Sequence, residues 1–148
     1  AMIETPAAVE LVAELAAEVD FFSIGTNDLI QYSLVVDRED PRMTSERHAY
    51  HPAILRMIRR VATQARSTAK PVSVCGEMAA RPDLAIALLA LGVDSLSVTP
   101  RVIPQLKRAL ARVPLAPLRS SVDAILALST AAGVEAALRA YVLTESAA

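Results

Sequence analysis

Phe-Ser-Ile-Gly-Thr-Asn-Asp-Leu-Ile-Gln-Tyr stands at residues 22–32, and Val-Cys-Gly-Glu-Met-Ala stands at residues 74–79. Each stretch is an apolar, strand-like run that ends abruptly in polar groups capable of chemistry. A third stretch, Met-Ile-Glu-Thr-Pro at residues 2–6, ends in the same way. In parallel α/β proteins, ligands bind at the carboxyl ends of the strands. The three stretches therefore predict one rim of the fold that carries polar, ligand-binding side chains.

Strand and helix signals alternate along the rest of the chain. Four short apolar runs, near residues 1–4, 21–25, 71–75 and 93–98, are each followed by a helical pattern. Short apolar strands that alternate with helices are typical of a parallel sheet. The pattern alone leaves two folds open, a doubly wound sheet and part of a (β/α)8 barrel. A whole barrel needs about 250 residues, so four units would supply half of one.

Loop and linker signals divide the chain. Residues 37–50 form a charged loop, and residues 114–119 hold two prolines and are predicted to be a linker. The predicted division is four strand–helix units over residues 1–113, followed by the linker and a helical tail over residues 114–148. The helices are predicted over residues 6–19, 27–36, from 52 onward, 82–91, 100–113, 120–128 and 130–143.

Several helix starts carry capping chemistry. Thr5 is a candidate N-cap before Pro6, at the first helical position. Asn27 and Asp28 are candidate caps for the short helix that follows the second strand. His51 precedes another proline and is interpreted as a helix-start cap rather than as a catalytic base.

Composition bounds the class of protein. The 148 residues fit one domain, and 53% of them are hydrophobic, with a mean hydropathy of +0.38. Charges interrupt every apolar run before the ~18 residues that a membrane span needs. Aromatic residues make up 3% and the net charge is −1, which argues against nucleic acid or an anionic membrane as the main partner. One cysteine and no signal peptide indicate a reducing, cytoplasmic setting.

Two carboxylates at neighbouring strand ends suggest a metal site. Glu4 and Asp28 supply hard oxygen ligands, and Mg²⁺ is usually held by one or two carboxylates together with substrate and water. The alternative is that Glu4 is a helix-start carboxylate and that Asp28 is an N-cap. The spacing alone leaves both interpretations open.

Three further residues near the predicted rim could bind a ligand or react. Asn27 can donate its amide to an oxyanion, although Gly-Thr-Asn-Asp would also form a simple turn. Arg38 could bind a phosphate or carboxylate with two hydrogen bonds, or could be a solvated surface charge. Cys75 lies where a strand becomes a loop, so its thiol is a candidate nucleophile or proton donor. A small buried hydrophobe is the commoner role of a lone cysteine.

Five sequence strings together resemble one known family, phosphoenolpyruvate–protein phosphotransferase, which is enzyme I of the bacterial sugar phosphotransferase system. The strings are Ile-Glu-Thr-Pro-Ala-Ala at 3–8, the run from Asp to Tyr at 20–32, Val-Asp-Arg at 36–38, His-Pro-Ala at 51–53 and Cys-Gly-Glu-Met-Ala at 75–79. The resemblance runs over nearly the whole chain. Pyruvate phosphate dikinase and phosphoenolpyruvate synthase share the Asn-Asp-Leu and Cys-Gly themes, but their flanking residues match less well.

The resemblance implies a fold and a role for each candidate residue. The family's phosphoenolpyruvate-binding domain is a (β/α)8 TIM-type barrel, of which this chain would supply the C-terminal half, the last four strand–helix units, plus C-terminal helices. Glu4 and Asp28 would bind Mg²⁺, and Asn27 and Arg38 would contact the phosphate of phosphoenolpyruvate. Cys75 would protonate the enolate carbon as pyruvate forms.

The parent reaction would transfer the phosphoryl group of phosphoenolpyruvate to a protein histidine. In this family that histidine lies on a separate N-terminal domain, which serves the phosphocarrier protein, and neither His48 nor His51 matches it. The chain alone is therefore expected to be inactive and to associate as a homo-oligomer. Two alternatives stay open: a non-catalytic half-barrel interaction module, and a fragment of another phosphoenolpyruvate- or pyruvate-using enzyme such as a dikinase.

Overall fold

A four-stranded parallel sheet organises the protein. The computed structural model describes residues 1–37 and 46–146. Every neighbouring strand pair is parallel, so the predicted α/β class and parallel sheet are confirmed. The strands lie in the chain order β1 (Met2–Ile3), β2 (Phe22–Gly25), β3 (Val72–Cys75) and β4 (Ser95–Ser97).

The register of the sheet brings the strand ends together. Ile3 pairs with Ile24, Gly25 pairs with Cys75, and Cys75 pairs with Ser97. The residues that follow β1, β2 and β3 therefore emerge side by side at one edge, which we call the carboxyl edge. The polar residues at the three strand ends, which were predicted to share one rim, therefore lie along the same edge of the sheet.

Helices follow each strand and cover the sheet. Three 3₁₀ turns precede longer helices, at Glu46–Tyr50, Glu77–Ala80 and Pro100–Val102. The α-helices are α1 (Pro6–Glu10), α2 (Val12–Leu15), α3 (Thr26–Leu34), α4 (Pro52–Ser67), α5 (Pro82–Leu91), α6 (Ile103–Arg112), α7 (Leu115–Ala127) and α8 (Ala131–Ser146). Within the described ranges, none of these helices is long and apolar enough to cross a membrane.

Two predicted helix caps are confirmed. The Thr5 side chain accepts a hydrogen bond from the N–H of Ala8 at 3.2 Å, with Pro6 at the first helical position. His51 Nδ1 accepts a hydrogen bond from the N–H of Ala53 at 3.2 Å, which caps α4. His51 is therefore a structural cap, because its acceptor nitrogen is already used at the helix start.

The core is aliphatic and centres on α4, α5 and the sheet. Helix α5 is buried on nearly every side, with seven of its residues inaccessible. Helix α4 is amphipathic and buries one face, formed by Ile54, Leu55, Ile58, Val61, Ala62 and Ala65. The apolar excess of the sequence is thus used to bury a central helix and a sheet, as the composition predicted.

The outward arginines of α4 bind the ends of neighbouring helices. Arg56 donates to the carbonyls of Leu126 (2.8 Å) and Leu128 (3.1 Å), at the end of α7. Arg59 donates to the carbonyl of Leu91, the last residue of α5, at 3.0 Å. Helix C-termini carry unpaired carbonyls and partial negative charge, so these contacts stabilise them.

Several boundaries differ from the predictions, and three of the differences have a local backbone cause. The helix predicted over 6–19 breaks at Leu11, yet its buried stripe continues through both pieces. The cap of α3 is Gly25, so Asn27 and Asp28 lie in the first turn instead of preceding it. Most of the predicted linker at 114–119 belongs to α7, because a proline in a first turn gives up an N–H that has no intrahelical acceptor.

Candidate functional site

The end of β2 is shaped to accommodate the Glu4 carboxylate. Glu4 follows the last residue of β1 and lies beside Gly25. A Cβ atom placed on Gly25 would be 3.1 Å from Glu4 Oε2 and 3.2 Å from Glu4 Cβ. Glycine at this position therefore leaves room for the carboxylate across the strand end. Asp28 lies in the first turn of α3, three residues further on, where a carboxylate is favoured by the helix dipole.

A buried hydroxyl joins the ends of β2 and β3. Thr26 is fully buried. Its Oγ1 donates to the carbonyl of Cys75 at 2.9 Å. This bond continues the pairing of Gly25 with Cys75 beyond the last ladder position, so the two strand ends cannot separate without leaving a buried hydroxyl unpaired.

Asn27 holds the loop that follows Cys75. Its Oδ1 accepts a hydrogen bond from the N–H of Glu77 at 3.1 Å. Gly76 has φ +110, and a Cβ atom there would lie 2.9 Å from Asn27 Oδ1 and closer still to the Thr26 hydroxyl. Because the amide oxygen is used by the loop, the amide nitrogen is the group of Asn27 that can donate to an anionic ligand.

The Cys75 thiol is partly buried and lies among polar atoms. It donates to the carbonyl of Ile24 at 3.5 Å, and the Ser23 hydroxyl donates to its sulfur at 3.8 Å. A wholly apolar core position would offer neither contact. The thiol thus lies at the carboxyl edge with access to solvent and with hydrogen-bonding neighbours, which a proton-donating group requires.

The structure brings together most of the predicted site. Glu4 directly follows β1, Cys75 ends β3, and Asn27 and Asp28 lie in the first turn of α3, directly after β2. Arg38 lies outside the described residues. Among residues 1–37 and 46–146, no group of three or more His, Cys, Asp or Glu side chains is placed to hold a metal.

Sequence reasoning missed three residues that shape this region. Thr26 and Ser23 lie inside the quoted strand-end string, but nothing in the string marked which hydroxyl would face Cys75. Tyr50 was assigned to a charged loop, yet it is fully buried at the end of a 3₁₀ turn. A signal for its burial existed, since a large side chain just before a helix N-cap often packs on the first turn of that helix.

The phenol of the buried Tyr50 has a raised pKa. Burial raises the pKa of the Tyr50 phenol to about 12, assisted by a hydrogen bond to Asp83 and by the negative charge of that carboxylate. Arg81 and Arg139 act in the opposite direction. The phenol therefore keeps its proton and donates to Asp83 throughout the physiological range.

Comparison with known proteins defines the class to which this fold and site belong. Residues 1–115 match the family described as PEP-utilising enzyme, PEP-binding domain. The match covers more than half of the chain, so the chain belongs to this family. The resemblance found in the sequence strings is confirmed.

Three relatives show what kinds of protein the chain is similar to. A multiphosphoryl transfer protein from Xanthomonas campestris is 45% identical over 135 residues, which cover 91% of this chain and 16% of the relative. A phosphoenolpyruvate-protein phosphotransferase from Haloferax volcanii is 41% identical over 133 residues, 90% of this chain and 24% of the relative. One from Haemophilus influenzae is 34% identical over 145 residues, 98% of this chain and 25% of the relative. The chain thus spans a quarter or less of these three relatives.

Proposed function

We propose that this chain is the phosphoenolpyruvate-binding part of a phosphotransferase that moves the phosphoryl group of phosphoenolpyruvate to a protein histidine. The observation that carries the proposal is the joining of two strand ends by Thr26 and Asn27, which holds Cys75 and the Asn27 amide at one edge. Family membership and the phosphotransferase names of the relatives support the reaction class.

We also propose that the sheet is the C-terminal half of a (β/α)8 barrel. Four parallel strands lie in chain order, each followed by helices, and β1 and β4 are both edge strands. A closed barrel pairs every edge. In this arrangement, residues 1–113 belong to the barrel and residues 114–148 form the segment after it.

Mg²⁺ is the cofactor that the available ligands fit. Glu4 and Asp28 are hard carboxylates around Gly25, and the missing Cβ of that glycine leaves space beside Glu4. One or two carboxylates are the usual protein share of a Mg²⁺ site whose other ligands are substrate oxygens and water. When bound, the ion would neutralise charge on the phosphate and carboxylate of the substrate.

The residues of this chain would bind the substrate and supply a proton. The Asn27 amide would donate to a phosphate oxygen, and Arg38 would form the bidentate contact that guanidinium groups make with phosphate. Loss of the phosphoryl group breaks its bond to oxygen and leaves enolpyruvate, whose terminal carbon must gain one proton. The Cys75 thiol would give that proton, leaving a thiolate next to the Ser23 hydroxyl.

The partners follow from the same reaction. Phosphoenolpyruvate is the proposed donor, and a phosphocarrier protein would be reached through a phosphohistidine domain of the whole enzyme. The names of the relatives, which include a multiphosphoryl transfer protein, support this direction of transfer. We propose a cytoplasmic setting and a homo-oligomeric state for the chain.

Metal and substrate binding can be tested without turnover. Relaxation of water protons by Mn²⁺ should show a weak site in the parent chain that Glu4→Gln and Asp28→Asn each remove. Glu14→Gln, which changes an exposed carboxylate on α2, is the matched control. Phosphoenolpyruvate with Mg²⁺ should slow the alkylation of Cys75 by iodoacetamide, because the ligand would cover the thiol.

Two results would contradict the proposal. Equal Mn²⁺ relaxation in the parent and in both carboxylate variants would remove Glu4 and Asp28 from the metal site. A Cys75 thiol that reacts only after denaturation, or at the same rate with saturating phosphoenolpyruvate, would remove it from the substrate site.

A further inference from the structure

A polar network lies at the carboxyl edge outside the candidate site. The Tyr50 hydroxyl donates to Asp83, and Arg81 Nη2 donates to the same hydroxyl oxygen at 2.8 Å. The Arg81 guanidinium also lies over the Tyr50 ring, 5.0 Å from its centroid, in a cation–π contact. These three side chains join the 3₁₀ turn before α4 to the start of α5.

Helix α8 extends this network. Arg139 lies 4.0 Å from Asp83 Oδ2 and 2.9 Å from Glu135 Oε1. The other oxygen of Glu135 accepts a hydrogen bond from Arg47 Nε at 3.2 Å. Helix α8 lies beyond the residues that match the family. A segment outside the matched domain is therefore bound to the 3₁₀ turn before α4 and to the first turn of α5.

The network reaches the candidate site through a short stretch of backbone. Cys75 ends β3, Glu77–Ala80 forms a single 3₁₀ turn, and Arg81 follows at once, with its N–H donating to the carbonyl of Met78 at 3.3 Å. Asn27 holds the first end of this stretch through the N–H of Glu77. Arg81 holds the other end, six residues after Cys75, so a movement of Arg81 is transmitted along this short stretch of backbone to the thiol.

We propose that Tyr50, Arg81 and Asp83 are positioning residues through which helix α8 holds the backbone of residues 75–77 in place. The inference rests on the proposed function, because the purpose of that placement is to present the Cys75 thiol to the substrate. Tyr50 is fully buried, and its oxygen both donates to Asp83 and accepts from Arg81. Removing this one oxygen takes one hydrogen bond from each of two charged groups, Arg81 and Asp83.

Alkylation of Cys75, the only cysteine in the sequence, reports on this placement without any substrate. The native-state rate with iodoacetamide is compared for the parent, Tyr50→Phe, Arg81→Ala and Arg139→Ala. We expect the first two variants to react about fivefold faster, the factor that corresponds to losing one hydrogen bond. In Arg139→Ala, Cys75 should react measurably faster than in the parent, but by less than fivefold. Arg81→Lys should return toward the parent rate, and Arg119→Ala, an exposed arginine on α7, should match it.

The outcomes separate positioning from stability. A purely structural role would lower the urea midpoint and leave the native alkylation rate at the parent value, and equal rates in the parent, Tyr50→Phe and Arg81→Ala overturn the proposal. If Tyr50→Phe does not fold, the exposed Arg139→Ala variant decides, and an unchanged rate there overturns the part assigned to α8. Failure of the proposed function gives a different result. Phosphoenolpyruvate would then not slow the alkylation of Cys75 in the parent, while the differences in alkylation rate between the variants would remain.

Discussion

At the scale of single residues, Gly76 is the position that the site constrains most. Its φ of +110 is a conformation that side chains with a Cβ rarely adopt, and a Cβ would meet the Thr26 hydroxyl and Asn27 Oδ1. We predict that Gly76→Ala lowers the free energy of unfolding by about 2–3 kcal/mol, because backbone strain and the loss of the Thr26 bond add. Urea denaturation measures the change.

A second glycine provides the control for that measurement. Gly133 lies in the first turn of α8, where a Cβ would contact only the Thr130 hydroxyl at 3.1 Å and Leu128 at 4.0 Å. Gly133→Ala should change stability by less than about 1 kcal/mol, since the helix preference for alanine offsets a contact that a flexible side chain can relieve. If the two variants lose the same free energy of unfolding, a Cβ at Gly76 does not strain the joined ends of β2 and β3.

Tyr50 gives the protein a specific sensitivity to alkali. Its folded-state pKa of about 12 lies above the ordinary tyrosine value of 10.0. Below pH 10 the phenol is protonated in both states, so its contribution to stability is fully present. Between pH 10 and 12 only the unfolded chain releases the proton, so this contribution should fall by about 1.4 kcal/mol per pH unit.

The Tyr50→Phe variant isolates this effect from other groups that titrate in alkali. Urea midpoints of the parent and the variant should be measured at pH 9, 10 and 11. The stability advantage of the parent should be constant up to pH 10 and should shrink above it. An advantage that stays constant to pH 11 would mean that the phenol titrates alike in both states.

Residues at strand ends could be predicted from the sequence, whereas Tyr50, which acts through distant partners, could not. Glu4, Asn27 and Cys75 were predictable because each follows an apolar strand run, and parallel strands bring such positions to one edge. Tyr50 was not predicted, because its partners Asp83 and Arg81 are more than thirty positions away and no local pattern marks the contact. Arg38 stays a prediction, as do the metal and substrate roles.

At the scale of elements, two arginines of α4 are expected to differ in how much they stabilise the protein. Arg56 donates to two carbonyls at the end of α7, whereas Arg60 forms an exposed ion pair with Glu10. We predict that Arg56→Ala costs about 1–2 kcal/mol, because hydrogen bonds from a charged donor to helix-end carbonyls are lost. Arg60→Ala should cost less than about 0.5 kcal/mol, since exposed ion pairs contribute little.

The two arginine variants form a matched pair on one helix. Both replace the same residue type by alanine, so the change in intrinsic helix preference is the same. Urea denaturation followed by circular dichroism gives the difference between them. If Arg60→Ala costs as much free energy of unfolding as Arg56→Ala, the hydrogen bonds of Arg56 to the end of α7 do not stabilise the protein.

Element types were more predictable than element ends. Every predicted strand is present because short apolar runs between helices have few other ways to be buried. The misplaced ends share a cause, which is that backbone geometry at Leu11, Gly25 and Pro114 decides where a helix begins or breaks. The prolines at 114–119 suggested a linker, but one of them fits a first turn, where proline is tolerated.

At the scale of the whole molecule, the outer edges of β1 and β4 pair with no other strand in the part of the chain that the structure describes. β1 is only two residues long, and two large apolar side chains, Met2 in β1 and Phe21 just before β2, are each more than half exposed. The residues of β4 at its outer edge, Ser95 and Ser97, are exposed beside a groove lined by Leu96, Ile103 and other side chains of α6. Open edges with apolar surroundings favour pairing with another chain.

The last prediction is that the 148-residue chain alone associates and has no phosphoenolpyruvate-dependent phosphotransfer activity. Association should cover the edges of β1 and β4, and light scattering coupled to size exclusion measures it. Ser95→Lys should lower the associated fraction, because a lysine on an edge strand opposes pairing, whereas Ser120→Lys on α7 adds the same charge away from the edge. Pyruvate release with a phosphocarrier protein should be absent, since transfer requires positioned charges all around the phosphoryl group and this chain places them on one side only. A stable monomer that turns over phosphoenolpyruvate would contradict both the half-barrel and the need for further groups.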